Sequence, residues 1–359
     1  MKILYYPAHS ENLYAKICRE CIEKAGVEVQ LFSKSIITVL KSDCDGVYLQ
    51  WYENLPSSRI KMCKMFLVKF VLLFVFKMKG MNIYFVMHNK EPHDHRIRAC
   101  GSFLLKLTLK KADRILVMSQ ESSNEIKRLL GDKYFTDNNV AGKIMQIPHP
   151  NYIDEYPIGE NKYTYLKPFC KDSFVFMNIG MVRPYKNLEI LIKAFKQCDF
   201  KNAKLIIVGK PYSTEYQCQI EELIANNKNI LGIFQFVDDE NMSEVIGYSD
   251  ALVFPYNKRS CLNSGAIYLA CSYAKTFIAP QMGTTKELTR LDRHMYVYDY
   301  SDEQMHIRCL SEKMNEAYQD WYTDKEKFHI KGVGLQEFVR KENSRQTLIN
   351  TYKNIFELV

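Results

Sequence analysis

No stretch of this chain is apolar for long enough to cross a bilayer. A spanning helix needs about 20 consecutive apolar residues, and the strongest run, within IKMCKMFLVKFVLLFVFKMK, is interrupted by Lys69. The start is equally poor as a secretion signal, because Met1-Lys2 is followed only by ILYY before polar residues. Cysteine is plentiful, 11 in 359 residues, but regular spacing is missing. Cys18 and Cys21 form the one C-x-x-C and fall in a helical pattern with no second pair, so reduced thiols in a cytosolic protein are expected. His93 and His95 lie near His88 as solvated loop residues, and no metal site is expected. The Gly-rich dinucleotide fingerprint is absent from the first loop, and so is any nucleic-acid reading module.

What is present is a globular composition, 47% hydrophobic and 25% charged, long enough for two ordinary domains. The net charge of +8 is uneven. Residues 1–160 hold 23 Lys+Arg against 17 Asp+Glu, and the window 51–114 holds 13 against 4. That window is basic enough to seek an anionic partner.

Short apolar runs alternate with helical periods, the mark of a parallel sheet with crossover helices. KILYY, VEVQLF, GVYLQW, MNIYFVMH, RILVMS and KIMQIP read as strands, with helices over Leu13–Ala25 and around Ile60–Lys79. After a Pro- and Tyr-rich passage, His149–Lys171, the pattern restarts with FVFMNIG, KLIIVG, ILGIFQFV, ALVFPY and TFIAP. Helices are expected there at Leu188–Gln197, Glu215–Asn226, Asn241–Tyr248 and Ser264–Tyr273. An α/β protein of two Rossmann-like domains facing across a cleft follows, residues 1–160 and 165–342. The closing helix, within 343–359, can belong to either and is the candidate to pack back on the first.

In open parallel sheets, ligands bind beyond the carboxyl ends of the strands. There, Gly180 ends one strand and the loop MVRPYK presents Arg183 and Lys186, a planar fork and a compact charge that suit a diphosphate. KLIIVG ends in Gly209 with Lys210 behind it, where backbone can approach a flat base. A third strand ends at Pro255-Tyr256; its polar loop reaches Asn263, and Ser264-Gly265 opens a helix whose free N–H groups favour phosphate. Each feature alone has a bland account: solubility, turn chemistry, or a serine N-cap. Together they put three elements of one domain around one anion.

These residues carry a family resemblance. GMVRPYKN, LIIVG, FVDDENMSEVIGYSDALVFPY, NSGAIYLACSYAKTFIAP and the MGTTKEL turn, from about Ser173 to Leu288, resemble the donor domain of GT-B glycosyltransferases, close to glycosyltransferase family four. The resemblance extends more weakly through YYPAHSENLYAK, VMHN, LVMS and IPHP. It implies that Arg183 and Lys186 bind the donor diphosphate and that the loop before the Ser-Gly helix lies against diphosphate and sugar. One departure stands out: the family's two glutamates, eight residues apart, fall on Cys261 and Leu269, neither of which accepts a hydrogen bond as a carboxylate does.

On the acceptor side, His88 resembles the family histidine beside the reacting sugar, and a group titrating near neutrality there can act as base or hydrogen-bond the sugar. Glu53, Asp94 and Glu91 are rival carboxylates for deprotonating an acceptor hydroxyl. The first loop, with His9, Asn12 and Tyr14, is expected to contact acceptor or donor sugar. The helix around Ile60–Lys79 reads either as a buried crossover or, given Arg59, Lys61, Lys64, Lys69, Lys77 and Lys79 without an acid, as a helix lying on an anionic bilayer.

The resemblance implies transfer of a hexose from a GDP- or UDP-sugar to a glycan or polyprenyl-diphosphate-linked acceptor in surface polysaccharide synthesis. No metal and no cofactor beyond the donor are expected. Nor is a nucleic-acid partner. The expected place is cytoplasmic, peripheral on the inner face of the cell membrane. The alternative from another class is a non-catalytic subunit that binds nucleotide sugar.

Overall fold

The apolar runs of the first half become six parallel strands: β1 (Lys2–Tyr6), β2 (Glu28–Leu31), β3 (Gly46–Gln50), β4 (Asn82–Val86), β5 (Arg114–Val117) and β6 (Ile144–Gln146). This computed structural model describes residues 1–8, 12–90 and 98–358. The strands lie in the order β2-β1-β3-β4-β5-β6. All of β3 and most of β4 are buried, as expected where helices cover both faces of a parallel sheet. The crossovers include helices Leu13–Lys24, Arg59–Met78, Arg98–Lys111 and Gln120–Leu130. Because β2 and β3 flank β1 on opposite sides, the chain changes direction there and opens a crevice at the carboxyl ends of β1 and β3.

Two compact units emerge: Met1–Pro150 with Arg259–Asn263 and Asn343–Val359, and Asn151–Lys258 with Ser264–Glu342. The break falls at Pro150, earlier than residue 160. The Tyr-rich passage belongs to the second unit, where Tyr152 N–H donates to Ser272 Oγ (2.8 Å) and Tyr163 N–H to the Glu244 carboxylate (3.0 Å). In the first unit, the closing helix Arg345–Ile355 packs on Leu13–Lys24, with Arg345 paired to Glu20 at 2.7 Å and the hydroxyls of Tyr48 and Tyr352 2.8 Å apart. Leu262, from Arg259–Asn263, is fully buried in that unit's core.

One sequence expectation is corrected in helix Arg59–Met78. Lys69, counted among the cations of a membrane-facing helix, turns inward and is 1% exposed. Its ammonium donates to the carbonyls of Tyr52 (2.7 Å) and Asn54 (2.8 Å) and lies over the rings of Tyr6 and Tyr52.

The second unit repeats the architecture with β7 (Phe174–Ile179), β8 (Ala203–Val208), β9 (Ile230–Ile233), β10 (Ala251–Val253), β11 (Thr276–Pro280) and β12 (Tyr296–Tyr298), in the order β12-β11-β10-β7-β8-β9. Here the change of direction lies between β7 and β10. Helices Glu303–Thr323 and Lys325–Glu342 cover one face with Tyr318, Trp321 and Phe328 against Phe174, whose ring is 5.3 Å from Trp321 and 5.4 Å from Phe328. Burying each such ring stabilises the fold by about 1.5–3 kcal/mol.

Candidate functional site

In the second unit the groups at the carboxyl ends of β7, β8 and β10 are held by short, specific ties. Asn178 donates from Nδ2 to the Val253 carbonyl (2.6 Å), joining β7 to β10 across the switch point. Gly180 (φ 103°) and Gly209 (φ 149°) both lie where side chains are strained. A Cβ on Gly209 would collide with the Gly180 carbonyl, so the two strand ends approach this closely only without side chains.

The loop that follows is pinned on both sides. Val182 N–H donates to the Lys210 carbonyl and Tyr212 N–H to the Val182 carbonyl, both 2.9 Å. Asn187 donates from Nδ2 to the Pro255 carbonyl (3.0 Å), and Asn257 N–H to the Tyr185 carbonyl (3.0 Å). The Arg183 guanidinium lies over the Tyr212 ring at 5.5 Å, and its Nε is buried without a hydrogen-bond partner among the described residues. Lys186 is 4% exposed, its ammonium donating to the Ile179 carbonyl at 3.1 Å. The Lys210 side chain is exposed, and its carbonyl is what the loop uses.

Ser264 caps helix Gly265–Ser272: its Oγ accepts from Ile267 N–H (3.4 Å) and donates to the Tyr256 hydroxyl (3.1 Å). Its own N–H donates to Thr284 Oγ1 at 2.9 Å. Tyr256 in turn stacks on Tyr185, in the loop that carries Arg183 and Lys186, at 6.2 Å. One buried cation, one guanidinium and a helix start therefore share this end of the sheet, an arrangement that attracts an anion.

The first unit gathers a different set at the ends of β3 and β4. His88 is 8% exposed and stacks on Trp51, with centroids 4.2 Å apart and planes 17° apart. Trp51 reaches this position with φ 48°, a left-handed conformation that costs a non-glycine residue about 1–2 kcal/mol. Tyr14 meets the His88 ring edge-on at 5.3 Å and lies 4.8 Å from His149. His88 Nε2 and Gln50 Oε1 are 3.2 Å apart. Asn263, expected on the donor side, belongs to this unit. Its Nδ2 donates to the His88 carbonyl and to Ser122 Oγ, both 3.4 Å.

Burial first, then the neighbouring His149, pushes His88 down to about 3, and burial holds His149 at about 4. The near-neutral titration expected of His88 belongs instead to Glu53, whose carboxyl burial pushes up to about 7. Glu53 is 2% exposed, and its Oε2 is buried with no hydrogen-bond partner among the described residues. Lys69 nearby works against the rise in Glu53, while its own pKa is pushed down to about 7 by burial.

Of the acceptor-side loop, Asn12 accepts from Tyr14 N–H (2.9 Å), capping its helix, and the Tyr14 ring packs on His88 and His149. His9, Glu91, His93, Asp94 and His95 lie outside the described residues. Gln50, Trp51 and His149 escaped the sequence reading. The signal for Gln50 was a polar residue closing the otherwise apolar run GVYLQ, where it is 0% exposed. Among the described residues, no cluster of three or more His, Cys, Asp or Glu could hold a metal ion.

Two parallel six-stranded sheets, each with polar groups at its switch point, define the GT-B fold. The Anabaena protein Alr3699/HepE, solved in complex with UDP-glucose, shares that fold at a TM-score of 0.71, 14% identity and 100% coverage of both chains. The family described as glycosyl transferases group 1 matches residues 167–319. A GDP-mannose:glycolipid 4-beta-D-mannosyltransferase from Xanthomonas campestris pv. campestris is 25% identical over 252 residues, 68% of this chain. The match spans 64% of that relative's length, under two thirds. D-rhamnosyltransferase WbpZ of Pseudomonas aeruginosa is 33% identical over 110 residues, 30% of this chain and 27% of its own. Residues 167–319 carry a group 1 glycosyltransferase domain, and the chain as a whole has the GT-B fold of glycosyltransferases.

Proposed function

We propose that the protein transfers a hexose from a nucleotide diphosphate sugar to a glycan or polyprenyl-diphosphate-linked acceptor in surface polysaccharide synthesis. The observation that carries this reading is the joining of Arg183, buried Lys186 and the Ser264-capped helix start at the carboxyl end of one sheet. When the bond from the anomeric carbon to the diphosphate oxygen breaks, charge builds on the leaving group. Fixed cations and helix N–H groups stabilise that charge without a metal ion. Cys261 and Leu269 supply no carboxylate; of the rival acids Glu53, Glu91 and Asp94, Glu53 is the one among the described residues, and near pH 7 its carboxyl populates both forms, as a group that takes the acceptor proton must. The mannosyltransferase relative names GDP-mannose and the Anabaena structure holds UDP-glucose, so GDP and UDP are the nucleotides to compare.

The protein works at the surface of an anionic membrane on the cytoplasmic side. Helix Arg59–Met78 leaves Ile60, Leu67 and Met78 exposed at 83%, 61% and 83%, beside exposed Arg59, Lys61 and Lys64. Phe66 joins it to Phe103 of helix Arg98–Lys111 at 5.9 Å, and neither helix contains an acid. Among the described residues no helix is long and apolar enough to cross a membrane, so the surface suits interfacial binding.

The test is the thermal midpoint with GDP, UDP and ADP, for wild type and Arg183→Ala. A ligand at about 100 times its Kd adds about 2.7 kcal/mol of stability, so one nucleotide should raise the wild-type midpoint and fail with the variant. No shift with any of them removes the donor site. A shift without transfer of sugar from any donor favours the non-catalytic subunit, to which the residues at 261 and 269 point.

A further inference from the structure

We propose that Gln50, backed by Tyr5, is a positioning residue that holds His88 in its Nε2-protonated neutral form and leaves Nδ1 as an acceptor for a sugar hydroxyl. The assignment starts from a group that can only accept. The Ala15 carbonyl lies 2.7 Å from the Tyr5 hydroxyl, so the single hydroxyl proton of Tyr5 is committed to it. Burial raises the Tyr5 pKa well above its ordinary value, so that proton stays in place. Toward Gln50, 2.5 Å away, Tyr5 therefore offers only lone pairs, and the Gln50 group facing it must be the amide NH2.

The other end of the same amide then follows. Gln50 Oε1, an acceptor only, faces His88 Nε2 at 3.2 Å. A neutral imidazole carries one ring proton, and the tautomer protonated at Nδ1 would set two lone pairs against each other here. The proton sits on Nε2. Tyr5 and Tyr48 stack at 5.4 Å with planes 4° apart, on strands that pair Tyr5 with Tyr48, and Gln50 is fully buried, so the relay has little room to turn. The titratable groups around the ring are His149, itself held neutral by burial, and Tyr14; the Asn263 amide meets the backbone carbonyl only.

Nδ1 of His88 makes no hydrogen bond among the described residues. A lone pair there accepts from an O–H and repels a phosphate or carboxylate oxygen, so the partner of His88 is a hydroxyl group. The role in transfer rests on the function proposed above; the tautomer does not.

The test is a two-bond 1H–15N spectrum of the full-length chain near pH 7, with His88 assigned by loss of its signals in His88→Asn. The expected result is a protonated Nε2 and an unprotonated Nδ1, unchanged on acidification to about pH 5. A protonated Nδ1, or an even mixture, overturns the assignment. Gln50→Leu should release the tautomer to a mixture and lower kcat about tenfold with KM for the donor changed less than about twofold. Gln50→Glu should keep Nε2–H and raise the His88 pKa. If Gln50→Leu does not fold, Tyr5→Phe, which keeps the ring stack, should still mix the tautomers. Mixed tautomers with undiminished kcat overturn the positioning role. Wild-type protein with the expected tautomer but no transferase activity leaves the assignment standing and removes the proposed function instead.

Discussion

Lys69 and Glu53 show how far side-chain direction is hidden from a linear reading. In sequence, Lys69 interrupts an apolar helix and joins a row of lysines; in the fold it is the one member of that row that is buried, held by the Tyr52 and Asn54 carbonyls and two tyrosine rings. After a backbone hydrogen bond to the Glu53 carboxyl, its field is what opposes the effect of burial on Glu53. Replacing Lys69 by methionine keeps the volume and removes the charge, so the Glu53 carboxyl should titrate above its present value of about 7. The side-chain carboxyl 13C resonance of Glu53, followed with pH, measures this; a midpoint at or below the wild-type value would show that Lys69 does not act on Glu53. The positions of Glu53 past the end of one strand, and of Arg183, Lys186 and Ser264 past the ends of others, were legible because an apolar run that stops marks a strand end; what they bind is the proposal above. Gln50 and His149 were not, because their importance lies in partners 38 and 194 residues away, His88 and Asn343.

Helix Leu188–Gln197 has the bounds its apolar period predicts, since six of its ten residues are buried in one core. Helices Glu303–Thr323 and Lys325–Glu342 went unread, the second partly because glycines interrupt its pattern. Gly332 is not a break: a Cβ there would collide with the Ala274 carbonyl, so glycine lets the helix lie directly on backbone. Helix Arg59–Met78 was legible as an element and ambiguous as a surface. Its exposed Ile60, Leu67 and Met78, with exposed Arg59, Lys61 and Lys64, make the interfacial reading testable apart from catalysis. Each surface lysine contributes about 1 kcal/mol to binding an anionic bilayer. Lys61→Ser with Lys64→Ser should therefore weaken binding to phosphatidylglycerol vesicles about 30-fold, at about 1.4 kcal/mol per decade, while the nucleotide-dependent thermal shift stays. Undiminished vesicle sedimentation of the double variant would remove these lysines from the membrane face.

Across the molecule, the alternation of strands and helices made the two-sheet plan legible before any contact was known, and the motif resemblance added the GT-B name, but the proton balance of the fold depends on burial that no pattern shows. His88 and His149 have folded pKa values of about 3 and about 4, below their unfolded value of about 6.5. A depressed histidine contributes stability that is present above the unfolded value and lost as pH falls through the window down to the folded one. Glu53 has the opposite sign, since its raised pKa keeps a proton on the fold that the unfolded chain releases between about 4.5 and about 7. Between about pH 4.5 and about pH 6.5, unfolding therefore takes up two protons at the histidines and releases one at Glu53. The net of one proton makes these three groups weaken the fold about tenfold, or about 1.4 kcal/mol, for each pH unit of acidification. His149→Gln keeps a polar side chain beside the Pro150 carbonyl and removes one of the two histidine protons, so it should flatten this dependence to near zero for the remaining pair. The measurement is the change in unfolding midpoint between about pH 6 and about pH 5 for both proteins. Parallel slopes would mean that His149 is protonated in the fold as readily as out of it, which its burial between Tyr14 and the Pro150 carbonyl argues against.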